Sequence, residues 1–136
     1  MDPKLRLPLG QSDFRALREQ GYAYVDKTAF VTEVLDANAQ VLQLTRPRRF
    51  GKTLNLSMLR CFLEKGSEDR NELFVGLEVA SSEAARLHFQ RYPVLFLTLE
   101  DVKEASWEAC LVGLGDVLAG LYREHAYLLE GDVLLP

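Results

Sequence analysis

The stretch LQLTRPRRFGKTLNLSMLRCF, residues 42–62, joins a short apolar run to a cluster of arginines, then Gly-Lys-Thr, then residues at helical spacing. VLQLT (41–45) has the composition of a compact strand, and Leu54, Met58, Leu59 and Phe62 recur as one face of a helix that starts at Gly51. Residues 46–53 are then a strand-to-helix turn with the eight-residue length of a phosphate loop. Such a loop needs successive backbone N–H groups at a helix N-terminus, a lysine for the terminal phosphates and a hydroxyl for Mg²⁺. Gly51, Lys52 and Thr53 supply these last three positions. The first position, normally glycine, is Arg46, and the following Pro47 holds Arg46 extended and removes one N–H. Against that loss, Arg46, Arg48, Arg49 and Lys52 put four positive charges into seven residues of an acidic chain, and guanidinium groups match phosphate oxygens. The alternative is a solvated basic turn, but a lysine in the first helical turn opposes the helix dipole unless an anion offsets it.

Outward from this stretch the elements alternate. Upstream, QSDFRALREQG reads as a short helix with Ser12 or Asp13 as N-cap and Gly21 as stop, and a second helix carries Phe30, Val31, Val34 and Leu35 and ends near Asn38. Downstream come EKGSED as a helix end and two weaker helical pieces, about 68–75 and 82–90. YPVLFLTL (92–99) is a near-continuous apolar run of the kind buried on both faces of a parallel sheet. A long helix over about 104–125 follows, with Trp107, Leu111, Leu114, Leu118 and Leu121 expected to face the core. Strand, helix, strand, helix predicts an α/β protein.

Composition narrows the function classes. The chain has 136 residues, 48% hydrophobic, with a net charge of −4. That is enough apolar material for a packed core, and the acidic balance confines any polyanion site to a local patch. No apolar run approaches the roughly 18–20 residues of a membrane span, and MDPKLRLPLGQSD lacks the apolar centre of a signal peptide, so a cytoplasmic location is expected. Cys61 and Cys110 lack metal-knuckle spacing and read as reduced, core or half-buried thiols. His88 and His125 read as isolated surface or helix-end residues. VLFLTLED superficially resembles an acidic metal-binding strand, yet Glu100 and Asp101 read as loop acids rather than catalytic groups.

LPLGQSDFRALREQGYAYVDKTAFVTEVL followed by VLQLTRPRRFGKTLNLSMLRCFLE resembles the N-terminal part of the predicted AAA-type ATPases, the AAA-ATPase-like family, in its YVDKT box and its RPRRFGKTLN loop. YPVLFLTLEDVKEASWEACL resembles the family's next strand and helix, so the likeness covers nearly the whole chain. The resemblance implies an incomplete P-loop NTPase-like three-layer α/β/α core with an N-terminal helical extension. In that scheme 1–136 is a single domain, with 1–40 the extension and 41–136 the partial core. It implies ATP and Mg²⁺ as cofactors. The nucleotide phosphate-binding set is then Arg46, Arg48, Arg49, Phe50, Gly51, Lys52, Thr53 and Leu54, with Lys52 toward the β/γ-phosphates and Thr53 toward the metal. Family members continue into a Walker B strand and often a nuclease domain. This chain is therefore expected to be an ATP-binding N-terminal portion without efficient hydrolysis of its own. Its expected partners are nucleotide, and self-association or a missing C-terminal portion, with nucleic acid reached through the absent nuclease domain and no membrane. Two alternatives stand beside it: a nucleic-acid phosphate-binding module using the 46–52 basic loop, and a non-catalytic fragment with an exposed apolar sheet edge. The role of Asp26-Lys27-Thr28 is not given by the resemblance, beyond Asp26 as a cap for the helix that follows.

Overall fold

In the computed structural model, which describes residues 6–130, Asp13 starts the first helix. Its carboxylate accepts from the N–H groups of Arg15 (2.8 Å) and Ala16 (3.3 Å), satisfying donors that a helix start leaves open. Helix α1 (Phe14–Glu19) buries Phe14 and Leu17, and Gly21 turns the chain at φ 67°. Helix α2 (Ala29–Ala37) buries Val31 and ends at Asn38, whose φ of 44° is the left-handed cap expected of an asparagine there. Helix α3 (Lys52–Leu63) buries Met58, Cys61 and Phe62. Beyond it the weak helical pieces of the sequence resolve into 3₁₀ turns at Asn71–Phe74 and Glu78–Ser81 and a single-turn α4 (Glu83–Arg86).

These elements form one of two units, which divide after Val94. Its core is built around α3. Phe74 sits between Phe14 and Phe62, each with its ring centre 5.2 Å away, and Phe89 lies 5.1 Å from Phe62. Tilted and edge-on ring pairs of this kind add about 0.5–1.5 kcal/mol each beyond the area they bury. Phe14 N–H also donates to Ser57 Oγ (3.1 Å), pinning the start of α1 to the middle of α3. Arg18 reaches two backbone carbonyls, Leu73 O (2.8 Å) and Val75 O (3.1 Å). Cys61 and Cys110 are free, Cys61 buried and Cys110 half-buried. Burial pushes the Cys61 thiol above its ordinary range.

In the second unit Ser106 caps α5 (Trp107–Glu124) by accepting from Ala109 N–H at 3.2 Å. The helix ends at His125, and a 3₁₀ turn follows at Ala126–Leu128. No helix among the described residues is long and apolar enough to cross a membrane.

The α/β expectation is overturned. Among the described residues there is no sheet; the one β-type pairing is an isolated parallel bridge between Glu64 and Tyr92, so the described chain is helical and not a three-layer α/β/α core. The physical reason lies in what a strand requires. Apolar runs give a segment the capacity to be a buried strand, but a ladder needs a partner edge, and 41–45 and 93–99 have none here. Their side chains are accordingly in solvent: Val41 is 83% exposed and Leu95 66%. The expected core face of the long helix fails in the same way, since α5 buries none of its residues and Trp107 is 65% exposed.

Candidate phosphate-binding site

Gly51 makes the site. At φ 75° it stands where an L-residue is strained, and it forms the N-cap of α3 without contributing a side chain. No side chain accepts from the first turn of α3, so its N–H groups remain available, with the positive end of the helix dipole behind them. Arg49, two residues earlier, shares the left-handed conformation (φ 66°). The Lys52 ammonium folds back and donates to the Arg46 carbonyl.

A cleft of about 800 Å³ opens at this point. One wall is Arg48, Arg49, Gly51, Lys52, Thr53 and Leu54, and the other is the segment Pro8–Ser12. Arg48, Arg49 and Lys52 take part in no ion pair among the described residues, and no carboxylate lines the cleft. Three uncompensated cations, a row of N–H groups and the Thr53 and Ser12 hydroxyls can bind an oxyanion and offer little to a cationic ligand. Arg46 and Phe50 are placed elsewhere: they line a separate cavity of about 340 Å³ with Lys27, Phe30 and Lys52. The structure therefore brings six of the eight candidate residues to one cleft, and Arg46 meets that cleft only through its carbonyl contact with Lys52.

Sequence reasoning did not find the opposite wall. Its one signal was Pro-Leu-Gly at 8–10, a turn in which Gly10 takes φ 73° and Leu9 is left 91% exposed. Nor did it find what the YVDKT box does. Asp26 Oδ1 accepts from Thr28 N–H (2.9 Å) and from Thr28 Oγ1 (2.7 Å), and Oδ2 accepts from Glu78 N–H (2.7 Å). The fully buried Thr28 hydroxyl in turn accepts from Val79 N–H (3.1 Å). Asp26 therefore does not cap α2, whose first turn receives no side-chain hydrogen bond; with Thr28 it clamps the residue before α2 to the 3₁₀ turn at Glu78–Ser81. Burial alone would raise the Asp26 carboxyl, but the hydrogen bonds from Thr28 and Glu78 outweigh it and hold the group below the usual carboxylate range.

The remaining candidates are placed without convergence on the cleft. Glu100 lies in an exposed turn with its N–H on Thr98 Oγ1 at 3.3 Å. His88 pairs with the Tyr92 hydroxyl, and His125, although a helix-end residue, is buried at 7% exposure with Nδ1 3.1 Å from Leu121 O. Among the described residues no group of three His, Cys, Asp or Glu side chains could hold a metal ion.

The model of the predicted AAA-ATPase family matches residues 8–129, a span that holds both walls of the cleft, the YVDKT box and helices α1 to α5. The chain belongs to the predicted AAA-ATPase family. Within this AAA-ATPase-like family the RPRRFGKT loop and the clamp of Asp26 and Thr28 lie in one matched stretch. The chain is also similar to a protein of Azotobacter chroococcum mcd 1 described as an uncharacterized protein in the vnfD 5′ region, 43% identical over 75 residues. That similarity covers 54% of this chain and 14% of the relative, so the chain spans a small part of the relative's length. No solved structure matches the chain.

Proposed function

We propose that this chain is a nucleotide phosphate-binding portion of an AAA-like ATPase, taking ATP with Mg²⁺ at the cleft beside α3. The observation that carries the reading is the uncapped start of α3 at left-handed Gly51, with Arg48, Arg49 and Lys52 on the same wall and in no ion pair among the described residues. Family membership supports nucleotide as the oxyanion. In this reading the N–H groups of Lys52, Thr53 and Leu54 and the two guanidinium groups hold phosphate oxygens, and Lys52 exchanges the Arg46 carbonyl for a phosphate. The Thr53 hydroxyl is the donor offered to Mg²⁺, whose chemistry when bound is to neutralise phosphate charge. Arg46 has a structural part, since its carbonyl parks the lysine.

The test is a calorimetric titration of ATP, with and without Mg²⁺, on the wild-type chain and on Lys52→Ala. Loss of a charge-assisted contact should cost about 1.5–3 kcal/mol, at least roughly tenfold in affinity. Equal affinity in the two proteins removes the reading.

A further inference from the structure

Next to the phosphate cleft is a second cavity, of about 320 Å³, that the reading above leaves without a role. Pro8, Gly51 and Leu54 line both, so the two adjoin along the foot of α3. Their chemistry differs. The cleft is cationic, whereas this cavity is walled by Leu7, Tyr24, Val25 and Leu54, with Lys27 and Asn55 supplying polar groups at its edge.

The walls are held in place by the core. Ala23 N–H donates to Arg6 O (2.8 Å), which keeps the chain around Leu7 beside the YVDKT box. The Tyr24 ring packs edge-on against Phe14, with centres 5.4 Å apart and planes at 73°. Asp26 and Thr28 lock the next turn. Yet Val25 is 76% exposed and Leu7 60%, so the apolar surface that they add to the cavity is not used by the core. A concave apolar site set beside a cationic cleft suits a ligand with a flat, largely apolar ring at one end and anionic oxygens at the other. Its volume falls in the roughly 300–1,000 Å³ range of small-molecule sites. A nucleobase has that character: apolar faces to lie against Tyr24 and Val25, and a polar edge within the reach of donors such as Asn55 and Lys27.

We propose that the cavity bounded by Leu7, Tyr24, Val25 and Leu54 receives the base of a nucleotide whose phosphates occupy the adjoining cleft, an inference that rests on the phosphate reading. The YVDKT box then has two faces. Asp26 and Thr28 fasten it to the core, and Tyr24, Val25 and Lys27 present it to the ligand.

The experiment compares ATP with inorganic tripolyphosphate, which has the phosphates and no base, by titration calorimetry on the full chain. Wild type is expected to bind ATP about tenfold or more tighter than tripolyphosphate, the scale of one base stacked on side chains. Val25→Trp, which fills the cavity, and Leu7→Gln, which makes its mouth polar without adding charge, should abolish that advantage while leaving tripolyphosphate affinity unchanged. The unchanged tripolyphosphate binding also certifies that these variants fold. Lys52→Ala should weaken both ligands. Equal wild-type affinity for ATP and tripolyphosphate, or full ATP affinity in both cavity variants, overturns the base site, and the phosphate site survives if Lys52→Ala still weakens both. Failure of wild type to bind either ligand overturns both.

Discussion

Thr28 shows how much one residue of the YVDKT box carries. Its hydroxyl donates to Asp26 and accepts from Val79 N–H in a site closed to solvent. Thr28→Val keeps the shape and leaves Val79 N–H buried without an acceptor, so it should cost about 1–3 kcal/mol in denaturant unfolding. Thr28→Ser, which keeps the hydroxyl, should cost less. Asp26 adds a pH signature. Its folded pKa is depressed, so its contribution is present above the ordinary aspartate value of about 4 and fades as pH falls through the lower folded value. Unfolding of Asp26→Asn, followed by circular dichroism, should show its largest deficit against wild type near neutrality and a shrinking deficit in acid. A deficit constant across pH would contradict the clamp. The long-range half of this clamp was not legible in the sequence, because the Glu78 and Val79 N–H groups that Asp26 and Thr28 accept from lie about fifty residues away and leave no mark on residue identity. Gly51, by contrast, was legible as the start of a helix, and its positive φ gives the reason. An alanine there meets no atom within 4 Å, so the cost of Gly51→Ala is backbone strain alone, about 1–2 kcal/mol.

The five helices divide according to what they bury. Helix α3 encloses Met58, Cys61 and Phe62, while α5 encloses nothing. Amides in a helix with no buried side chain open through local fluctuations, whereas core amides need larger unfolding. Hydrogen exchange followed by mass spectrometry should therefore show peptides from 107–124 exchanging well ahead of those from 54–63. Protection of α5 equal to that of α3 would contradict the difference. Trp107→Phe, at an exposed site, should change stability by no more than about 0.5 kcal/mol. The ends of the first two helices were well read from the sequence, because caps and stops such as Asp13, Gly21 and Asn38 act locally. Burial was not. The stripe of Trp107, Leu111 and Leu118 has the period of a core face, but periodicity reports which residues could be covered together, not whether anything covers them. The same distinction accounts for 41–45 and 93–99, whose composition suits a strand and whose backbone has no ladder to join.

Over the whole molecule, an acidic chain with a net charge of −4 carries a local cationic cleft at the start of α3. Phosphoryl transfer requires an acid to fix the metal and a group to position water, and among the described residues no carboxylate lines this cleft. Single-turnover hydrolysis of labelled ATP by the 136-residue chain is therefore expected to stay at background, and Glu100→Gln to change nothing. A turnover number near roughly 1 per second that Glu100→Gln abolishes would contradict this. Phosphate bound at the start of α3 would be reported by the backbone amide chemical shifts there. Adding Mg²⁺-ATP to the isotopically labelled chain should move the amide resonances of Gly51, Lys52, Thr53 and Leu54 most, with Arg48 and Arg49 next, and Lys52→Ala should suppress those shifts. Shifts centred on other residues, or an unchanged spectrum at saturating ATP, would contradict phosphate binding there.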